Sequence, residues 1–435
     1  MQSRDWRMHM RARHMGPTHG SSRRPPSSSM FPPTRGSSRL CGALVGALAL
    51  SLVGCGEGGS AGGADGVEVI NIGYVGPLSG GAAYYGRNVQ RGIQMAADEI
   101  EEAGGFEVGG RRVRFEIVSA DDRYLPNETA TSARRLLQQH RPPVIFVPHA
   151  GGIRAVQEMN LQEPTFLLAA YSSEPSILEA GNSLTVMLPP RFDGYQEPFV
   201  GVTMGRFGRR LGLLPTTTAY GRAWTERVTE EWRRQGGAVG GDHGVDYNTT
   251  TDFTGAVSRA LADRPDVLFV GGPSQPTALV IRAAREQGFR GGFLVMDQAK
   301  FEEMLAIVPM EALEGSIGVY PQATYPTEGA PLFTERYYTR FGRDFQPPTS
   351  EVAITYQAVH LFALAMQLAG TTTDPVAIRA SVGEAARQIP DDLRIFNMNG
   401  VTQQGHLARS VFAAHILNGE FLTVAIPMPA GAPIH

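Results

Sequence analysis

The sequence predicts an α/β protein in two lobes, each built on a doubly wound, mostly parallel sheet. Three observations carry that prediction. From Val67 onward, β-branched apolar runs alternate with amphipathic helical stretches, the pattern of parallel strands joined by crossover helices. Pro189-Pro190 interrupts the alternation, and the same rhythm restarts behind it without a long linker. The last predicted elements are β segments that need a sheet to join, so the chain must cross back to one.

The elements follow in order. Residues 67–75 form a strand ending in Gly76-Pro77. Residues 87–102 are helical, because Val89, Ile93, Ala96, Ala97 and Ile100 share one stripe, and Gly104-Gly105 closes the helix. A strand at 112–118 precedes a helix capped by Asn127 and running to Gln139. Residues 144–147 read as a buried strand, 153–162 as helix and 165–170 as strand. Beyond the proline break, strands are expected near 211–218, 267–270 and 293–296. Helices are expected at 222–234, 252–262, 277–287 and 301–307. Three further helices come at 331–341, 351–368 and 375–389. Strands at 411–417 and 421–426 flank Asn418-Gly419, a dipeptide suited to a two-residue hairpin turn.

Ahead of this alternation the chain reads as an export leader. The first 40 residues carry eight arginines against one acid, Asp5, with a Ser/Pro tract at 21–33. An apolar run of 14 residues, 40–53, is shorter than the roughly 20 needed to span a bilayer and suits a signal-peptide core. It ends in Leu52-Val53-Gly54-Cys55, which looks like a bacterial lipobox, with Cys55 as the lipidated residue. The alternative is an ordinary cleaved signal that leaves Cys55 free. Residues 1–54 are therefore expected to be removed, and Met30 is an alternative start to Met1. Residues 55–66 form a Gly/Ser/Ala tether. The other cysteine, Cys41, lies within the leader, so the mature chain holds no disulfide.

Composition and motifs exclude several function classes. With 42% hydrophobic residues and a net charge of -3, the chain can bury a core and lacks the basic excess of a nucleic-acid binder. Of 39 basic residues only Lys300 is lysine, and no glycine loop precedes it, so Walker and kinase lysine motifs are missing. That lone lysine reads as codon bias. No His-Glu-x-x-His, Gly-x-Ser-x-Gly or strand-following Gly-x-Gly-x-x-Gly occurs, and Asp121-Asp122 reads as a solvated or capping pair. We expect no enzyme, no metal and no cofactor.

A binding site can be located from the fold class alone. Open α/β sheets bind ligands off the carboxyl ends of their strands. Those ends are at 77–80, 149–152, 171–173, Tyr220-Gly221, 272–275 and Asp297-Gln298. Helices start just behind several of them, so free N–H groups face the cleft and suit a ligand carboxylate.

Three segments resemble a known family. The first is Ile72-Gly73-Tyr74-Val75-Gly76-Pro77-Leu78-Ser79-Gly80, followed by Tyr85-Gly86, by 92–100 and by Gly104-Gly105. The second is Tyr220-Gly221 with Asp252-Phe253, and the third is Asn418-Gly419-Glu420-Phe421. Together, across 67–426, the chain resembles the leucine/isoleucine/valine-binding family of periplasmic receptors for ABC importers. The resemblance implies a two-lobed Venus-flytrap of type I periplasmic binding fold with three hinge crossovers, near 189–191, 319–321 and 395–399. One lobe would comprise 67–189 plus 322–394, the other 191–320 plus 396–430.

The resemblance also implies site residues. Ser173 falls where such receptors place the hydroxyl that bonds the ligand carboxylate, with Tyr171 two residues earlier. Gly151 falls near a position that often carries serine, so a hydroxyl is lost there. Tyr220 matches the aromatic from the second lobe, and Asp297 the acid that pairs with a ligand ammonium; its alternative is a helix N-cap. Ser79, Tyr85 and Gln275 are further candidates, with ordinary packing the alternative for Tyr85. The implied protein is a lipid-anchored, monomeric receptor in the cell envelope, facing the periplasm or exterior. It would deliver an amino acid or related amine or carboxylate to an ABC permease. A ligand sensor on the same fold, uncoupled from transport, is the alternative.

Overall fold

The protein is described by a computed structural model over residues 66–409 and 411–426. The predicted leader, Cys55 and the tether up to residue 65 lie outside the described residues.

The first lobe is built on β1 (Glu68–Gly76), α1 (Ala83–Glu102), β2 (Phe106–Val108), β3 (Arg111–Asp121), α2 (Pro126–His140), β4 (Val144–Val147), α3 (Ala150–Gln162), β5 (Leu167–Ala170), α4 (Ser176–Glu179) and β6 (Thr185–Met187). Its strand order is β2-β3-β1-β4-β5-β6, parallel except for the β2–β3 hairpin. The chain steps from β1 to β3 on one side and then to β4 on the other, so the strand order reverses around β1. A reversal of that kind opens a crevice at the carboxyl ends. Burial on both faces explains why β4 and β5 are unbroken apolar runs.

The second lobe begins with α5 (Asp193–Phe207) and continues through β7 (Arg210–Pro215), α6 (Ala219–Arg234), β8 (Ala238–Asp242), α7 (Thr254–Ala262), β9 (Val267–Gly271), α8 (Ser274–Glu286), β10 (Gly292–Val295), α9 (Phe301–Met304) and β11 (Ser316–Val319). The chain then forms α10 (Gly329–Phe341), α11 (Ser350–Ala369) and α12 (Pro375–Gln388), followed by β12 (Met398–Val401), β13 (Leu407–Arg409), β14 (Val411–Leu417) and β15 (Glu420–Ile426). The second sheet has the order β15-β14-β11-β10-β9-β7-β8, and here the reversal lies around β7. Its last two strands run antiparallel, joined at Asn418-Gly419, both with positive φ, as the dipeptide requires.

Several expectations shift. Helix α5 lies in a stretch for which the sequence predicts no element; it holds Pro198 and three glycines, and burial of Tyr195, Phe199, Val200 and Met204 along one side outweighs them. Asn127 caps nothing: Pro126 opens α2 at its first position, where a missing N–H costs no hydrogen bond. The third crossing also moves. The β12–β13 hairpin stays on the first lobe, with Met398, Val401 and Leu407 in one core with Ile72 and Phe146, and His406 bridging to Met187. The chain therefore enters the second sheet at Val411, beyond the 395–399 implied by resemblance, because the hairpin's apolar residues are claimed by the first core. Helix α11 is long and apolar enough to cross a membrane by length and composition, yet 72% of that stretch is buried, packed against α1 and α12.

Candidate ligand-binding site

Two Tyr-Gly pairs, one per lobe, set the walls of the cleft. Tyr85-Gly86 lies in the first turns of α1, and Tyr220-Gly221 in the first turn of α6. A Cβ on Gly86 would sit 1.7 Å from the Pro77 carbonyl oxygen, and one on Gly221 1.9 Å from that of Thr216. Only glycine lets each helix start so close above its strand end, and each tyrosine is carried into the cleft by that approach. The Tyr85 hydroxyl donates to the Pro148 carbonyl. The Tyr220 hydroxyl donates to Asp297 Oδ1, and burial followed by Asp297 pushes its pKa far up, so it stays a neutral donor.

A narrow cavity of about 50 Å³ lies between the lobes. Tyr85, Tyr171, Ser173, Tyr220 and Asp297 all line it. Asp297 stands at its polar end, just past β10. Its carboxylate accepts from Ser173 Oγ at 2.5 Å, from Tyr220 and from Trp224 Nε1 at 3.2 Å. Ser173 follows a strand of the first lobe and the others belong to the second, so Asp297 joins the two. A carboxylate offers about four acceptor positions, so one remains for a ligand donor. It caps no helix, since α9 begins only at Phe301.

The other expected residues lie elsewhere. Ser79 is exposed and donates to Asp121 Oδ2 at 2.6 Å, and Gln275 is exposed in the first turn of α8. Gly151 lines a neighbouring groove, with Pro126, Thr218 and Arg222, rather than this cavity. A side chain there would bring its Cβ within 2.8 Å of Pro126 Cγ, so the serine position of the resemblance has no room unless Pro126 moves. Beside it His149 is fixed: Nδ1 accepts from Gly152 N–H at 3.1 Å, so Nε2 carries the proton toward Asp122 Oδ2, 2.8 Å away.

The structure adds residues to the candidates that the resemblance implied. Tyr124, Tyr195, Tyr325, Gln298, Lys300 and Arg409 line the same cavity. Lys300 is no trace of codon usage alone: it is buried and pairs with Glu351 Oε1 at 2.9 Å, reaching from the second lobe to α11. Burial alone would lower its pKa, but Glu351 and Asp297 hold it above the ordinary lysine value. Beside it Asn88 donates to Glu303 Oε1 across the lobes. Burial drives the Glu302 carboxyl up to about 8, and burial together with Glu351 pushes Glu303 up as well. The uniqueness of Lys300 was the one sequence signal for this cluster. Among the described residues no group of three or more His, Cys, Asp or Glu is placed to hold a metal.

Comparison with known proteins follows the same lines. Residues 69–420 match the family model described as "Periplasmic binding protein". An amino acid binding protein of Pseudomonas aeruginosa is 24% identical over 54% of this chain, and the chain spans 62% of that protein's length. A leucine binding protein from Thermotoga maritima superposes with a TM-score of 0.68 at 23% identity, covering 82% of this chain and 98% of its own. A solute binding protein of an ABC transporter from Rhodopseudomonas palustris, solved with 3,4-dihydroxy benzoic acid, gives a TM-score of 0.67 at 18% identity over 84% of this chain and 98% of its own.

Proposed function

The chain belongs to the leucine/isoleucine/valine-binding type of periplasmic binding protein, and from that premise we propose that it is an extracytoplasmic receptor that captures a small amine- or carboxylate-bearing solute between its lobes and delivers it to an ABC importer. The observation that carries this reading is the interlobe cavity, whose acid, Asp297, is already engaged by hydroxyls from both lobes. A ligand ammonium on the open acceptor position of Asp297 adds a further tie between the lobes, so binding and closure are one event. Binding, not turnover, is the role that such a site serves.

In this reading residues 66–189 with 322–409 move as one lobe and 191–320 with 411–426 as the other. The chain crosses between them at Pro189-Pro190, at Tyr320-Pro321 and between β13 and β14. Cleavage before Cys55 and lipidation of its thiol would hold the receptor, as a monomer, on the envelope surface beside its permease. The test is a thermal-shift screen of amino acids, amines and organic acids, followed by uptake assays in a strain lacking the gene. A ligand at 100 times its dissociation constant stabilises by about 2.7 kcal/mol, a shift that such a screen detects. Stability unchanged by every solute class would overturn the receptor reading, and binding without any uptake defect would favour a sensor.

A further inference from the structure

The hinge side of the cavity carries a cation that no group among the described residues neutralises. Arg409, the last residue of β13, is 4% exposed and lines the cavity. Its guanidinium lies 5.2 Å from the centre of the Phe396 ring. Among the described residues, neither Nε nor Nη2 has a hydrogen-bond partner. Those two nitrogens lie along one edge of the guanidinium, the edge that receives a carboxylate side-on through two parallel hydrogen bonds. The groups that act on its charge are the hydroxyls of Tyr325, Tyr171 and Tyr195, and burial lowers its pKa to about 10. Arg285 shows what this chain does with a structural arginine: it donates to four backbone carbonyls, those of Ala312, Phe289, Gly291 and Glu314. Leaving a buried guanidinium edge unpaired is costly, so a fold that keeps one at a cavity wall has a use for it.

The rest of the cavity agrees. Tyr171 and Tyr195 line the same cavity, and each feels the charges of both Arg409 and Asp297. Burial keeps these phenols neutral, so the walls offer ring faces and hydroxyls rather than further charge. The other charges on this cavity are engaged, Lys300 by Glu351 and Asp297 by Ser173, Tyr220 and Trp224, so the one charge of Arg409 left over among the described residues fits a monocarboxylate better than a phosphate dianion. Gln298 Oε1, also buried and without a partner among the described residues, adds an acceptor for a ligand N–H or O–H.

We propose that Arg409 is the anion site of the cleft and that the solute is an organic carboxylate with an apolar or aromatic body, its carboxylate held side-on by Nε and Nη2 and its body between the Tyr171 and Tyr195 rings. This rests on the reading of the cavity as the solute site and names the ligand class that it takes.

The test uses matched acid and amide probes: benzoate and benzamide, phenylacetate and phenylacetamide, L-leucine and L-leucinamide. Affinities are measured by calorimetry on the full mature chain and on Arg409→Gln and Arg409→Lys. The wild type should bind at least one acid about 10- to 100-fold more tightly than its amide. Arg409→Gln should bring that pair to within about threefold, and Arg409→Lys should restore part of the preference, because it returns the charge without the fork. The acid–amide comparison on the wild type needs no variant, so it stands even if a variant fails to fold. Equal binding of acid and amide by the wild type overturns the proposal, as does an Arg409→Gln protein that weakens both alike. If amines or neutral solutes bind and no acid does, the receptor reading survives and the anion site falls. If no probe of any class binds, both fall.

Discussion

Asp297 shows how much a single carboxylate can be asked to do. Three donors converge on it, so its removal acts on lobe closure as well as on any ligand. Asp297→Asn keeps the shape and deletes the charge. With an amine-bearing ligand we expect a loss of about 2 to 5 kcal/mol, roughly 30- to several-thousand-fold in affinity, measured by calorimetric titration. A ligand without an amine should lose far less, and equal losses for both would place the effect in the lobe contact. Lys300 makes the complementary case. Lys300→Met leaves Glu351 buried without its partner. Breaking a buried pair from one side costs about 3 to 5 kcal/mol, to be read from urea unfolding of the ligand-free protein. The sequence showed that Lys300 was unique but not that it was paired, since Glu351 lies 51 positions away and only the packing of α11 brings the two together.

At the scale of elements, the two Tyr-Gly helix starts are one device used twice. Gly86→Ala or Gly221→Ala drives a methyl into a strand-end carbonyl, so the helix must back away and take its tyrosine along. Overpacking of this kind costs about 1 to 3 kcal/mol, and ligand affinity should fall with it. Both losses are measurable in one unfolding and titration series, and a Gly221→Ala protein of full affinity would show that Tyr220 does not depend on this approach. Helix α9 carries a pH signature. Glu302 has a folded pKa of about 8 against 4.5 as the ordinary value, so the folded chain binds a proton that the unfolded chain releases. Stability from this group is then fully present below about 4.5 and is lost as pH rises through 8. Melting temperature should decline between pH 5 and 8.5, and Glu302→Gln should flatten that decline. An unchanged slope in the variant would assign the decline to other groups.

At the scale of the molecule, two lobes that the chain links through short crossings, and that touch through Ser173–Asp297, Asn88–Glu303 and Lys300–Glu351, lead us to expect hinge motion. Small-angle scattering of the mature chain with a saturating ligand from the screen should give a smaller radius of gyration than without it. An unchanged profile would mean that the ligand enters an already closed cleft. The crossings themselves are unequal. Phe192, just behind Pro189-Pro190, stacks on Trp224 with ring centres 4.9 Å apart, so the first crossing is tied to the aromatic cluster that also holds Tyr220.

The sequence by itself determined the two-lobed α/β architecture and most strand and helix positions, because hydrophobic period is a local property of the chain; that both Tyr-Gly pairs lie inside the first turns of their helices came from the structure. It also determined that Ser173 and Asp297 lie just past strand carboxyl ends, since strand ends can be read from where apolar runs stop; Tyr220 lies instead in the first turn of α6, five residues beyond β7. Only the tertiary structure decided that these three bond one another, that Ser79 and Gln275 point to solvent, and that the β12–β13 hairpin stays with the first lobe. Only it revealed Arg409 as a buried cation in the cleft. Arg409 sits in a short strand among 38 arginines, and nothing in its neighbours distinguishes it. Its meaning comes from burial without a hydrogen-bond partner for Nε and Nη2 among the described residues, which depends on distant parts of the chain and on no local pattern.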